Sequence, residues 1–299
     1  MPFFSVIVPT RNEEKRLGYC LPSLLNQSFQ DFEITVVEDP GTSDKTKEFI
    51  NGLKSDKIKY IFHPKGMLMG DKRDYGTVHS AGDYFYFVDA DMEFPPNLLQ
   101  EIHNLIQKDK AEIVFVAEET PGPTWLNKMK NIEKTLAISN LSLSAARVYS
   151  ANLYHKIGGY DKTLIAAEDG DISDRAMQTG AKFVITKTKV KHYETVGVSY
   201  RSHLLKKFRY GISSNEYFAI QKKADTETTS KASLSPLDRD RDPKSRPASS
   251  LKTYFLSPIL WKNPFMAIQF VTFKFIELSV LASGLIYGKV FSKKVTHTR

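Results

Sequence analysis

Asp89 and Asp91 are the residues of this 299-residue chain best spaced to do chemistry together. They close the run Tyr84-Phe-Tyr-Phe-Val-Asp-Ala-Asp91, in which apolar residues lead into two carboxylates set two apart. In extended chain, side chains two apart point to the same side. Two hard oxygen ligands presented together suit Mg²⁺ or Mn²⁺, and such an ion would in turn hold a diphosphate. A solvated aspartate pair in a loop is the alternative that the spacing alone leaves open. Two more carboxylate sites stand out: Asp39, after Ile34-Thr-Val-Val, and Glu168-Asp169, at the acidic start of a helical pattern.

These groups need elements to carry them. The apolar, aromatic-rich run at 84–88 reads as a buried strand, preceded by Ala81-Gly82-Asp83. Phe3 to Pro9, Phe32 to Asp39 and Lys57 to Phe62 read as strands too. Between them lie a helix with Leu17, Leu21, Leu24 and Leu25 on one side, and a second through Phe49 with Ser43 or Asp44 as N-cap. Strand alternating with helix predicts an α/β fold: a mostly parallel sheet, helices on its faces, ligands at the carboxyl ends of its strands. No Gly-x-Gly-x-x-Gly follows the first strand, which argues against a dinucleotide cofactor. Farther on, helices are expected from about Asp71 to Ser80, from Pro95-Pro96 to Ile106 and from Leu126 to Ile138. Strands are expected at Ile113 to Ala117 and Phe183 to Val190, the second running on to His192. Gly180 closes the helix that Glu168-Asp169 opens.

The net charge of +8 and a pI near 9.2 favour an anionic partner. Cys20 is the single cysteine, which excludes an intrachain disulfide and any cysteine-based metal cluster and fits a reducing compartment. Met1-Pro-Phe-Phe-Ser enters an apolar run without a basic n-region, so no signal peptide is expected. Lys187 to Arg209 holds seven Lys/Arg against one acidic residue, Glu194. Residues 224–250 are poor in apolar residues and read as a disordered linker, dividing a domain at 1–223 from a hydrophobic segment at 251–299. Within that segment Phe265 to Gly288 is long enough to cross a hydrocarbon core of about 30 Å. Lys274 and Glu277 interrupt it, each at a cost of roughly 2.5–3.5 kcal/mol at a bilayer centre. A spanning helix, an interfacial helix flanked by Lys262, Lys289, Lys293 and Lys294, and a helix docked on the domain all stay open.

In order along the chain stand Ser5-Val-Ile-Val-Pro-Thr-Arg-Asn-Glu13, Val36-Val-Glu-Asp39 with Thr42 and Asp44, and Ala81-Gly-Asp-Tyr with Val88-Asp-Ala-Asp91. Gly158-Gly-Tyr-Asp161 and Glu168-Asp-Gly-Asp171 complete the set. Over about residues 3–195 the chain thereby resembles the family 2 glycosyltransferases of GT-A fold. The resemblance implies inverting, metal-dependent transfer of a sugar from a nucleotide-diphosphate sugar to an acceptor. It implies that Asp91 holds Mg²⁺ or Mn²⁺ and that Asp89 touches the ribose and lies within reach of the metal; His192, just past a strand, reads either as a third ligand, as in some GT-A enzymes, or as a surface histidine. Pro9, Thr10, Glu13 and Asp39 match positions lining the nucleoside pocket, and Arg73 a basic position near the base and diphosphate. Asp169, with Glu168 beside it, matches the general base.

Trp125 and Arg147 could border the acceptor, although packing and a surface salt bridge are the simpler readings. The Glu38–Asp44 segment is one residue longer than the family's usual Asp-Asp-Gly-Ser-x-Asp, and Asp74 replaces a frequent Asn. No Gln-x-x-Arg-Trp follows the base region, which disfavours a processive polymerase. The basic stretch and the apolar C-terminus lead to the expectation of a lipid-linked acceptor and a membrane surface, with the catalytic domain on the cytoplasmic side of the cell membrane. A nucleotidyltransferase would need a Gly-rich, Arg-containing loop after the first strand, which is missing. Nucleic-acid binding would leave the carboxylates without a role, so no nucleic-acid partner is expected.

Overall fold

The computed structural model describes residues 1–65, 68–162, 164, 168–212 and 254–291. The expected linker at 224–250 lies outside them. Two compact units emerge: Met1–Pro121 with Ser144–Thr163 and Ala167–Glu194, and Gly122–Leu143 with Leu164–Ala166 and Thr195–Arg299.

The first unit is built on one eight-stranded sheet in the order β3-β2-β1-β4-β7-β6-β8-β5. Its strands are β1 Phe4–Thr10, β2 Phe32–Glu38, β3 Ile58–Phe62, β4 Tyr84–Phe87, β5 Met92–Glu93, β6 Ile113–Glu119, β7 Val148–Ser150 and β8 Phe183–His192. From β3 through β4 every pairing is parallel, as the strand–helix alternation predicts. β1 is buried along its whole length, as a central strand covered on both faces must be. Beyond β4 the sheet becomes mixed. β7 runs antiparallel to both β4 and β6, β8 parallel to β6, and β5 antiparallel to β8.

Helices α1 Glu14–Leu25, α2 Thr46–Gly52, α3 Met69–Val78, α4 Leu98–Asp109, α6 Ala151–Lys156 and α7 Glu168–Gln178 belong to this unit; α5, Trp125–Ser139, belongs to the second. Leu17, Cys20, Leu21 and Leu24 point from α1 into the core formed with Val6, Val8, Ile34 and Val36. The N-cap of α2 is Lys45, not Ser43 or Asp44, and it has no side-chain cap; Asp44 stands one residue earlier, where its Oδ1 accepts from the Thr46 amide at 3.1 Å. α4 starts at Leu98, later than the Pro95-Pro96 expectation. Both prolines sit in a preceding turn, where Gln27 donates to the Pro95 carbonyl at 2.8 Å and accepts from the Leu99 amide at 3.0 Å. Gln27 thus satisfies an orphan donor of the helix from a distant loop.

In the second unit α5 packs with helical residues 200–212, the short helix Pro258–Trp261 and the 28-residue helix Pro264–Phe291. Trp125 belongs to this packing. It stands edge-on to Tyr200 and Phe273 and donates to Gln269 at 2.8 Å.

Candidate active site

Strands laid parallel end together, so β1, β2 and the turn after β4 bring their carboxyl ends to one edge. β4 itself stops at Phe87, and Asp89 and Asp91 lie in the turn beyond it, closed by the Met92 amide donating to the Asp89 carbonyl at 3.2 Å. The strand expected to carry the pair therefore ends short of it. Turning out of the strand gives the two carboxylates different partners.

Asp91 faces His192, at the end of β8, with Oδ1 3.2 Å from Nε2. The same Nε2 lies 3.9 Å from Asp89 Oδ2. On its other side His192 Nδ1 donates to Glu118 Oε2 at 2.8 Å, which orients the ring and turns Nε2 toward Asp91. One ligand atom from each of Asp89, Asp91 and His192 falls within 4.8 Å of the others.

Asp89 is instead held by two buried guanidiniums. Arg73, from α3, donates to its Oδ1 at 2.7 Å, and Arg147, just before β7, lies 3.1 Å from Oδ2. Burial alone would raise the Asp89 carboxyl, but Arg147, Arg73 and His192 outweigh it and hold the group well below the usual carboxylate range. Arg73 also reaches α7, donating to Asp169 at 2.5 Å and Glu168 at 3.4 Å. Tyr160 donates to Asp169 at 3.0 Å and lies under the Arg73 guanidinium. Glu168 is pushed up to about 7 by burial first and then by Asp169, with Arg73 only partly opposing. Asp169 is the most open carboxylate of the cluster, its side chain 29% exposed.

Around this centre stand Asp89, Asp91, Glu118, Glu168 and Asp169, against Arg73 and Arg147. With Glu168 held partly neutral by burial and by Asp169, the carboxylates still outweigh the two guanidiniums, leaving a surplus of negative charge. That surplus, and a mixed oxygen and imidazole donor set, fit a divalent cation.

The nucleoside-pocket candidates gather at the neighbouring strand ends. Pro9 is buried in β1, and Thr10 donates to the Val37 carbonyl at 3.3 Å. Asp39 accepts from the Gly41 amide at 2.9 Å and pairs with Lys72 at 3.2 Å. Burial works to raise its carboxyl, and the Gly41 amide with Lys72 and Arg11 brings it below the ordinary value. Glu13, just ahead of α1, pairs with Arg16 at 3.3 Å.

Arg147 corrects the simpler sequence reading: it is buried, not a surface residue, and bridges Asp89 to Glu118 at 2.9 Å. Glu118 and Lys72 were missed. Glu118-Glu119 closes β6 as Asp89-Ala-Asp91 follows β4, so the signal of carboxylates after an apolar run was present for Glu118. For Lys72 the sole hint was its place beside Arg73.

A profile described as "Glycosyl transferase family 2" matches residues 5–165, just over half of the chain. The chain belongs to that family. Among its relatives is a glycosyltransferase of Rickettsia typhi, 25% identical over 216 residues, covering 66% of this chain and 67% of the relative. Another is the GalNAc(5)-diNAcBac-PP-undecaprenol beta-1,3-glucosyltransferase of Campylobacter jejuni, 33% identical over 138 residues, covering 45% of this chain and 42% of the relative. The chain spans from 27% to 67% of the length of the first curated relatives it matches. This family member shares its fold with the mannosyltransferase PcManGT of Pyrobaculum calidifontis in complex with GDP-Man and Mn²⁺. That likeness has a TM-score of 0.68 at 14% identity over 98% of this chain and 88% of the other. It also resembles S. aureus TarS 1-349 in complex with UDP-GlcNAc, with a TM-score of 0.54 at 16% identity over 99% and 93%. The family 2 fold here is GT-A: a mostly parallel, mixed sheet with helices on its faces.

Proposed function

We propose that this family 2 member is an inverting, non-processive glycosyltransferase that moves a sugar from a nucleotide-diphosphate sugar to a lipid-linked acceptor, a polyprenyl phosphate or lipid-linked saccharide. The observation that carries the reading is the arrangement of Asp91, His192 and Glu118 beside the Arg73–Asp169 pair. GDP-Man and Mn²⁺ bound to the mannosyltransferase, and UDP-GlcNAc bound to TarS, support the donor class. The undecaprenol-linked substrate in the Campylobacter enzyme's name supports the acceptor class.

Mg²⁺ or Mn²⁺ held by Asp91 and His192, with Asp89 in reach, would supply Lewis-acid neutralisation of a leaving diphosphate. The protein's own groups do the rest. With a saccharide acceptor, Asp169 accepts the proton of the hydroxyl that attacks from the face opposite the leaving group; a phosphate acceptor would attack through an oxygen already ionised and would not need that base. Tyr160 and Arg73 fix its carboxylate in orientation. Arg73 and Arg147 offer guanidinium charge to the diphosphate oxygens. Pro9, Thr10, Glu13 and Asp39 hold the nucleoside, and Asp89 the ribose. A cytoplasmic membrane surface is the proposed workplace, supported by the apolar helix Pro264–Phe291 and the unpaired Cys20.

UDP-, GDP- and dTDP-sugars offered with polyprenyl phosphate and with lipid-linked saccharide, with and without Mn²⁺, test this. Asp91→Ala should lose metal-stimulated turnover. Asp169→Asn should still bind donor but transfer about 10²–10⁴-fold more slowly. Unchanged transfer by Asp169→Asn would remove it as the base, and a product of retained anomeric configuration would exclude the single displacement.

A further inference from the structure

Helix Pro264–Phe291 has two faces of opposite kind. Ala267, Phe270, Lys274, Glu277, Gly284 and Gly288 recur at steps of three, four and seven residues, which keeps them on one helix face, and are buried against α5 and residues 200–212. The ion pair that broke the apolar run in sequence is turned inward. Lys274 donates to Glu277 at 2.6 Å and to Glu133 of α5 at 2.8 Å; Glu277 also accepts from His203 at 2.5 Å and lies 3.5 Å from Lys207. At Gly284 an added Cβ would stand 2.1 Å from the Phe208 carbonyl oxygen, so the two helices cross backbone to backbone there.

The opposite face carries Phe265, Ile268, Phe275, Ile286 and Val290, each 62–70% exposed. Exposed Trp261 and Tyr287 stand toward its two ends, where amphipathic rings favour a membrane–water boundary. Glu277 is the single acidic residue of 254–291 and 200–212 has none, so the exposed charge of both segments is positive. Lys262 precedes the long helix and Lys289 lies in its last turn, and Arg201 and Lys206 flank exposed Leu205.

By length and composition this helix could cross a bilayer. Crossing would carry its middle turns to the bilayer centre, and with them Glu133, His203 and Lys207 from the two helices bonded there. Ionisable groups at that depth are costly. Lying in the interface leaves the whole ion cluster on the protein side and sinks only the outer face, about 5–10 Å deep. We propose that helix Pro264–Phe291, with residues 200–212 beside it, seats the protein on an anionic lipid bilayer as an in-plane anchor that does not span it. The anchor stands whether or not sugar transfer is the activity.

The 299-residue chain floated with phosphatidylcholine vesicles containing about a quarter phosphatidylglycerol tests the anchor. Wild type should float, lose affinity on vesicles of phosphatidylcholine alone, and come off in alkaline carbonate. Ile268→Glu/Phe275→Glu/Ile286→Glu should weaken partitioning by at least about tenfold. Arg201→Glu/Lys206→Glu should lose the preference for phosphatidylglycerol while keeping the residual binding. Circular dichroism, thermal melting and donor hydrolysis should match wild type in both variants, separating loss of the anchor from loss of fold or activity. Retention in carbonate alongside a spanning control would overturn the in-plane arrangement. Undiminished flotation of the triple variant would overturn the face. Wild type that fails to float, whether monomeric or as a dimer that the triple substitution dissociates, would overturn the bilayer as its occupant.

Discussion

Glu118 acts at one remove from any ligand, and its two oxygens divide the work. Oε1 takes Arg147 and Oε2 takes His192 Nδ1, so one carboxylate sets both a cation and an imidazole. Glu118→Gln keeps the volume and removes the charge. Mn²⁺ affinity, followed by electron paramagnetic resonance titration, should fall about 10–100-fold, as it does when such orienting partners are lost. Unchanged affinity would count against His192 as a ligand. Glu168 gives a pH signature. Its folded-state pKa of about 7 lies above the ordinary 4.5, so the folded protein holds a proton that the unfolded chain releases. Stability therefore falls as pH rises from about 4.5 to 7 and stays lowered above that. Glu168→Gln should raise the stability at pH 8 by about 1–3 kcal/mol, with the gain vanishing below pH 4.5. A pH-independent difference in denaturant melts would show that the carboxyl is not held neutral. Asp89, Asp91, Asp169, Arg73 and His192 were all legible as chemistry-bearing residues. Their pairings were not.

At the scale of elements, α3 matters most, because it delivers Lys72 to Asp39 and Arg73 to the acidic cluster. It can do so because Gly76 lets it settle onto the sheet: a Cβ there would lie 2.6 Å from Ile7 Cγ2 and 3.0 Å from Val37 Cγ2. Gly76→Ala should cost about 1–3 kcal/mol in urea unfolding, the ordinary penalty for overpacking. It should also raise donor KM by lifting Arg73 from its place. A variant as stable as wild type would mean that β1 and β2 yield easily at this contact. The parallel half of the sheet was readable because each strand is an apolar run next to a helix-period segment. β7 was not. It has three residues, pairs antiparallel between β4 and β6, and depends on neighbours far away in sequence. Arg147 enters the site on that short strand's leading edge, which is why it read as a surface residue.

For the molecule as a whole, binding and stability are linked. A ligand that binds the folded state at a hundred times its Kd adds about 2.7 kcal/mol. Saturating Mn²⁺ with a nucleoside diphosphate should therefore raise the Tm by roughly 5–10 °C. Asp91→Ala should lose the part that depends on Mn²⁺. A nucleotide shift of full size without metal would separate donor binding from the Asp91–His192 site. The net charge of +8 pointed to an anionic partner, and its distribution divides that role. Arg73 and Arg147 are buried among carboxylates, whereas Arg201, Lys206, Lys262 and Lys289 are exposed in the segments proposed to meet the bilayer.

By itself the sequence determined the alternation of strands and helices, the carboxylates that follow the strands and the apolar stretch near the C-terminus. These are local patterns, written in side-chain period and in residue types next to one another. Only the tertiary structure decided which charges meet. Arg73 and Asp169 are 96 positions apart, Glu118 and His192 are 74 apart, and Lys274 and Glu133 are 141 apart. Burial makes each such pairing obligatory, because an ionised group removed from water must find its counter-charge wherever the fold brings one. Asp89 and Asp91, adjacent in spacing and alike in chemistry, show the result. One is bound by two arginines, and the other is turned toward His192 where a cation fits.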